Sequence, residues 1–121
     1  MKTAELKQED LANFTGTTCY YKHNILNRTL YLTDGTHHVR QAGNGARWLF
    51  DLILLAQEKL KKEQEFQVWD LRKQDDGGWM LKCTDGNSTV LYKQQIPFSD
   101  FPLSHISFFL VGEVCMLKSE Y

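Results

Sequence analysis

Within residues 36–47 the chain places two adjacent histidines (His37, His38), two arginines (Arg40, Arg47) and a Gly43-Asn44-Gly45 run. Three chemistries are open to such a set. Metal binding is disfavoured. Neighbouring histidines on a helix point about 100° apart and do not converge on one ion. His23 and Cys19 stand four apart, a helical ligand spacing, but the β-type residues around them do not make a helix. An anion site is the second option, because exposed amides at a helix start beside two guanidinium groups attract negative charge. The dinucleotide fingerprint requires a glycine where Trp48 stands, and no phosphate-loop motif is present, so a two-helix junction that uses glycine for geometry is the favoured reading. Nucleophilic catalysis is the third. Cys19 with His23 or His38, and Ser104 with His105, can be paired on paper, yet no elbow motif supports either. No catalytic residue and no cofactor is expected.

Two further features bear on a site. Asp51 is the only charge between Trp48 and Gln57. Pairing with Arg47, four residues back, is the favoured reading; the alternative is a buried carboxylate in a pocket, held by a tyrosine or histidine of the first half. The run "CYYKHNILNR" interleaves Tyr20 and Tyr21 with Lys22, His23 and Arg28, a pattern able to stack bases and meet phosphates. The candidate ligand-binding set is therefore Tyr21, Lys22, His23, His37, His38, Arg40, Arg47 and Asp51.

The elements that must position these groups follow from local patterning. Residues 4–14 read as a helix ended by Gly16, and "TTCYY" and "RTLYLT" as strands. Thr36 is placed to cap a short helix that Gly43 closes, and Asn44 to cap a long one over residues 46–62. On that helix Leu49, Leu52, Ile53, Ala56 and Leu60 form the core stripe. Trp48, Leu54 and Leu55 lie on its other sides and are read as an interface. Three strands, "EFQVWDLRKQ", "GWMLKCTD" and "STVLYKQQIPF", are separated by Asp75–Gly78 and Asp85-Gly86-Asn87 turns, which predicts an antiparallel meander. "LSHISFFLVG" reads as a short helix capped by Ser104, and "EVCMLK" as a last strand. The expected class is a single α+β domain over residues 1–121: an antiparallel meander on one long helix, with short additional helices.

Totals exclude several classes. A 121-residue chain with 42% hydrophobic and 24% charged residues suits one soluble globular domain. The net charge of −1 gives no overall attraction to nucleic acid or lipid. It is unevenly spread: residues 17–47 carry four basic groups against one acidic, and residues 63–121 five against nine. Three widely spaced cysteines fit free thiols in a reducing cytosol. The start of the chain lacks a signal peptide's apolar core, and the longest apolar run is too short to span a bilayer, so a cytoplasmic protein without membrane contact is expected.

Several phrases resemble an uncharacterised domain family of short bacterial proteins found in genomes and on mobile elements. They are "LANFTGT" followed two residues later by "YYKH", "GARWLFDLI", "FQVWDL", "IPFSDFPL" and the terminal "LKSEY". The resemblance implies a bacterial, mobile-element setting and transfers no activity, cofactor or site residue. The residues themselves favour a non-enzymatic binding protein acting by protein contact or self-association through the apolar helix face. The alternative is a nucleotide or nucleic-acid ligand on the basic-aromatic segment 20–47.

Overall fold

A computed structural model describes residues 14–25, 28–42, 46–57, 60, 66–87, 89–99 and 101–121. Seven strands form one sheet: β1 (Tyr21–Ile25), β2 (Arg28–Leu32), β3 (Phe66–Lys73), β4 (Trp79–Thr84), β5 (Val90–Ile96), β6 (His105–Val111) and β7 (Val114–Leu117). Two helices, α1 (Asp34–Ala42) and α2 (Arg47–Ala56), and a 3-10 turn, Lys118–Glu120, complete the described elements. The spatial order is β1-β2-β7-β6-β3-β4-β5, antiparallel throughout except where β2 and β7 run parallel.

This corrects the expected architecture of a meander on one long helix. The β3-β4-β5 hairpins are present, turned by Gly77 at φ +88° and Gly86 at φ +91°, conformations glycine adopts without a Cβ penalty. They form only one flank of a larger mixed sheet. The segment read as a helix from Ser104 is strand β6, with Ile106, Phe108 and Leu110 inward and Ser107 and Phe109 outward. Its contiguous apolar run is compatible with either period, and the register with β3 and β7 decides the outcome. Pairing with both places β6 at the centre of the sheet. α2 ends at Ala56 rather than continuing to residue 62. The proposed helix over residues 4–14 falls on undescribed residues except at Phe14, which is not helical.

Both helices lie on one face of the sheet. α2 inserts Leu49, Phe50, Ile53 and Leu54 into a core shared with Trp69, Leu71, Leu81, Phe108 and Leu110. Phe50 meets Phe108 at 5.4 Å between ring centroids. Leu54, assigned to an interface by the sequence pattern, is 4% exposed and belongs to the core. α2 therefore presents Leu55, 38% exposed, with the half-buried Trp48 and Leu52, as its apolar contact groups. Among the described residues, no helix is long and apolar enough to cross a membrane.

One polar cluster in this core is fully wired, although the Trp79 indole N–H has no hydrogen-bond partner among the described residues. The Gln57 and Gln67 side-chain amides exchange two hydrogen bonds (3.0 and 2.9 Å), and the Trp69 indole N–H donates to Gln67 Oε1 at 2.9 Å. These bonds tie the end of α2 to β3. Gln67→Leu is expected to leave the Trp69 donor and the Gln57 amide without their partner, lowering stability by about 1–3 kcal/mol. Urea unfolding monitored by tryptophan fluorescence measures it.

Candidate functional site

The structure brings five of the eight predicted ligand residues into one network. β1 alternates, so His23 points inward and is fully buried, while Lys22 and Asn24 point outward. His23 faces Asp51 on α2, with Nε2 and Oδ1 2.6 Å apart. On its other side His23 Nδ1 lies 3.1 Å from Arg40 Nη1 of α1. A guanidinium can only donate, so His23 Nδ1 accepts and the ring proton sits on Nε2, directed at Asp51. Arg40 Nη1 also donates to the Lys22 carbonyl (3.2 Å), and Nη2 donates to His37 Nδ1 (2.9 Å). The His37 ring stacks on Tyr21 at 3.8 Å with planes 4° apart.

Electrostatics follow this wiring. Burial pushes the pKa of His23 below its ordinary value; the Asp51 carboxylate opposes that shift, and Arg47 and Arg40 add to it. Burial, then Arg40, does the same for His37. Asp34, at the start of α1, accepts from the Thr18 backbone N–H (2.9 Å) and hydroxyl (3.0 Å). The backbone bond comes first among the causes that hold its carboxyl below the usual range.

The remaining predicted residues stand apart. Asp51 pairs with His23 rather than with Arg47, because Arg47 is exposed in the first turn while β1 delivers a buried imidazole. The partner is a histidine of the first half, as in the alternative reading, but the carboxylate is 32% exposed rather than buried. Lys22 contributes its carbonyl, and its side chain lies on the opposite sheet face. His38 Nε2 is buried without a hydrogen-bond partner among the described residues, and its ring lies 5.4 Å from Phe14. Thr33, not Thr36, caps α1: Thr33 N–H donates to Thr36 Oγ1 (2.9 Å), and Thr36 N–H donates back to Thr33 Oγ1 (3.4 Å). Asn44 falls outside the described residues, and Ala46 at the start of α2 makes no side-chain cap bond.

With its cation directed inward to two imidazoles and a carbonyl, the Arg40 network offers few free donors to an anion. A second cluster, missed by sequence reasoning, lies on the sheet face that no described helix covers. Alternation along the strands brings Phe66, Val68, Asp70 and Arg72 of β3 to this face. Met80 and Lys82 of β4 and His105, Ser107 and Phe109 of β6 join them. Strand pairing sets Ser107, Asp70, Lys82 and Lys93 in one row across four strands. Lys82 and Lys93 are direct cross-strand neighbours and, among the described residues, neither has an ion-pair partner. Like charges so placed repel. Phe66, Phe109 and Tyr121 form an aromatic group with centroids 5.1–5.8 Å apart, and the Lys118 ammonium sits 5.9 Å over Phe109.

Asp70, Ser107 and His105 meet on this face without making a nucleophilic triad. Ser107 Oγ gives its one proton to Asp70 Oδ1. His105 Nε2, 3.0 Å from Ser107 Oγ and 3.3 Å from Asp70 Oδ1, must then donate. Burial raises the Asp70 pKa, but the bonds from Ser107 and His105, with Lys118 nearby, outweigh it and hold the group below its ordinary value. The serine is thus a positioner of the carboxylate, and the imidazole is not its base. Two depressions, about 520 and 280 Å³, share Asp70 and Lys82 in their walls. The signal in the sequence was the strand period of two itself, which sets Asp70 opposite Trp69 and Lys82 opposite Leu81, although apolar residues on both faces of "FQVWDL" obscure it.

Among the described residues no group of three or more histidine, cysteine or acidic side chains is placed to hold a metal ion. Cys83 and Cys115 are buried free thiols, and burial pushes the Cys83 pKa up to about 12. No curated protein and no solved structure matches the chain significantly. The family of unknown function DUF6876 matches residues 5–121, and the chain belongs to that family.

Proposed function

We propose that this protein is a non-enzymatic binding module of the bacterial cytoplasm, carried in a mobile-element setting, and that its ligand is single-stranded nucleic acid. The contact surface is the sheet face that no described helix covers, rather than segment 20–47. One observation carries the reading. Among the described residues, Arg72, Lys82, Lys93 and Lys118 stand against Asp70 on this part of the face, a net of +3 in a chain of net charge −1, beside the Phe66, Phe109 and Tyr121 rings. Tyr121 is exposed and Phe66 and Phe109 are half-buried; ring faces open to solvent stack on bases irrespective of sequence, and cations follow the backbone phosphates.

Fluorescence anisotropy with labelled 15-nucleotide single strands, DNA and RNA, tests it at low salt. Binding is expected to weaken as salt rises. Phe109→Ala should lower affinity about tenfold, within the ~1–3 kcal/mol of one base–aromatic stack. Lys82→Gln should make the salt dependence shallower by about one phosphate contact. Absence of binding, or binding indifferent to both substitutions, overturns the reading. Protein contact or self-association through α2 is the competing reading, with Leu55 as its exposed anchor. A dimer in light scattering that Leu55→Lys dissociates would favour it.

A further inference from the structure

Asp70 is out of place on a surface built for phosphates. Among the described residues it is the one carboxylate beside those four cations, and its side chain is 19% exposed. A polyanion gains nothing from meeting it. Yet the site holds it firmly: Ser107 and His105 both donate to Oδ1. Oδ2 takes no hydrogen bond among the described residues, and Asp70 lines both depressions. The larger depression also contains Phe66 and Phe109, so a base stacked there has its edge beside the carboxylate.

We propose that Asp70 is a specificity residue, whose Oδ2 accepts a hydrogen bond from the exocyclic amine of a stacked base. This inference rests on the single-strand reading above. Cytosine and adenine, with guanine, carry such an amine at the base edge. Thymine and uracil carry only a ring N–H set between two carbonyl oxygens, and both oxygens face the carboxylate unfavourably. Lys82, the cross-strand neighbour of Asp70, supplies a donor for the ring acceptor beside the amine. Ser107 and His105 are positioning residues: by occupying Oδ1 they fix the carboxylate plane and leave a single acceptor.

The test compares oligo-dC with oligo-dT, 15-mers of two pyrimidines with similar stacking, by anisotropy on the full chain. Wild type should bind oligo-dC about tenfold more tightly than oligo-dT, the lower part of the range for one good side-chain–base pair. Asp70→Asn keeps the shape and the contact to Ser107 but adds an amide donor that thymine carbonyls accept. The dC/dT ratio should fall to about one or invert. Asp70→Ala, which removes the group, should bring it to about one. Removing a negative charge raises affinity for both strands, so the ratio is the readout. Binding of both strands with a wild-type ratio of one, or a ratio unchanged in both variants, overturns the role of Asp70 and leaves the single-strand reading standing. Binding of neither strand overturns both.

Discussion

Gly35→Ala is expected to destabilise the protein by about 3 kcal/mol, more than a surface methyl could. Gly35 is buried in the first turn of α1, and an added Cβ would lie 2.5 Å from Glu120 Oε1 and 2.6 Å from Leu117 Cδ1. Glutamate side chains ordinarily swing away from such a clash. This one is held at both oxygens. Oε1 accepts from the Thr33 hydroxyl (2.6 Å) and the Leu117 backbone N–H (2.9 Å), and Oε2 from the Gly35 N–H (3.0 Å). The carboxylate also sits at the N-terminal end of α1, where the helix dipole favours negative charge. Relief of the clash therefore breaks charge-assisted bonds or displaces Leu117 from the core. Urea unfolding of Gly35→Ala, Glu120→Ala and the double variant separates the causes. In the Glu120→Ala background the glycine substitution should cost about 1–2 kcal/mol less, a coupling typical of contacting residues. Equal costs in the two backgrounds would mean that the clamp is not what makes Gly35 necessary.

The same clamp explains why parts of the fold were not legible. Glu120 joins residues 85 and 87 positions apart, and nothing in the "LKSEY" ending announces its partners. What was legible is local. Asp-Gly turns and β-branched runs marked β3, β4 and β5, because alternation and turn chemistry act within a few residues. The segment Asp34–Ala42 was readable as a helix for the same reason, although the cap lies three residues earlier than Thr36. β6 was misread because "ISFFLV" offers Ser107 as its one polar residue, too little to fix a period, and only the partners on each side give it a strand's period. That single error hid the topology, since β6 joins the β3-β4-β5 flank to the β1-β2-β7 flank. The Asp51 site failed in a related way. The local rule pairs a carboxylate with Arg47 one turn back, and the tertiary rule gives it a buried imidazole 28 residues away. The long apolar helix was overextended because its greasy surface suggested continuation, whereas the core beneath it explains most of that surface.

His23→Ala is expected to lower stability near neutral pH by about 2–3 kcal/mol, through the lost ring and the unmatched donors and acceptors on Arg40 and Asp51. The figure is smaller than for a sealed ion pair, because Asp51 is 32% exposed and water can replace part of the bond. The pH dependence is the sharper signature. The folded protein holds His23 and His37 below their ordinary pKa of 6.5, so the unfolded chain takes up protons first as the pH falls. Stability is then complete above about pH 6.5 and declines below it until the folded-state values are reached. Each group contributes at most about 1.4 kcal/mol per pH unit. Asp34, also depressed, loses its contribution only near the lower pH at which carboxyl groups titrate, so the two effects separate. In structural terms, a proton on His23 Nδ1 would face the N–H of Arg40 Nη1, two donors with nothing to accept. Unfolding midpoints measured between about pH 8 and 5.5 should fall for the wild type and fall less for His23→Ala, with His37 supplying the remainder. A wild-type curve flat across that interval, or one that His23→Ala leaves unchanged, would show that the imidazole is not held neutral between the guanidinium and the carboxylate. The buried network would then need a different assignment of its protons.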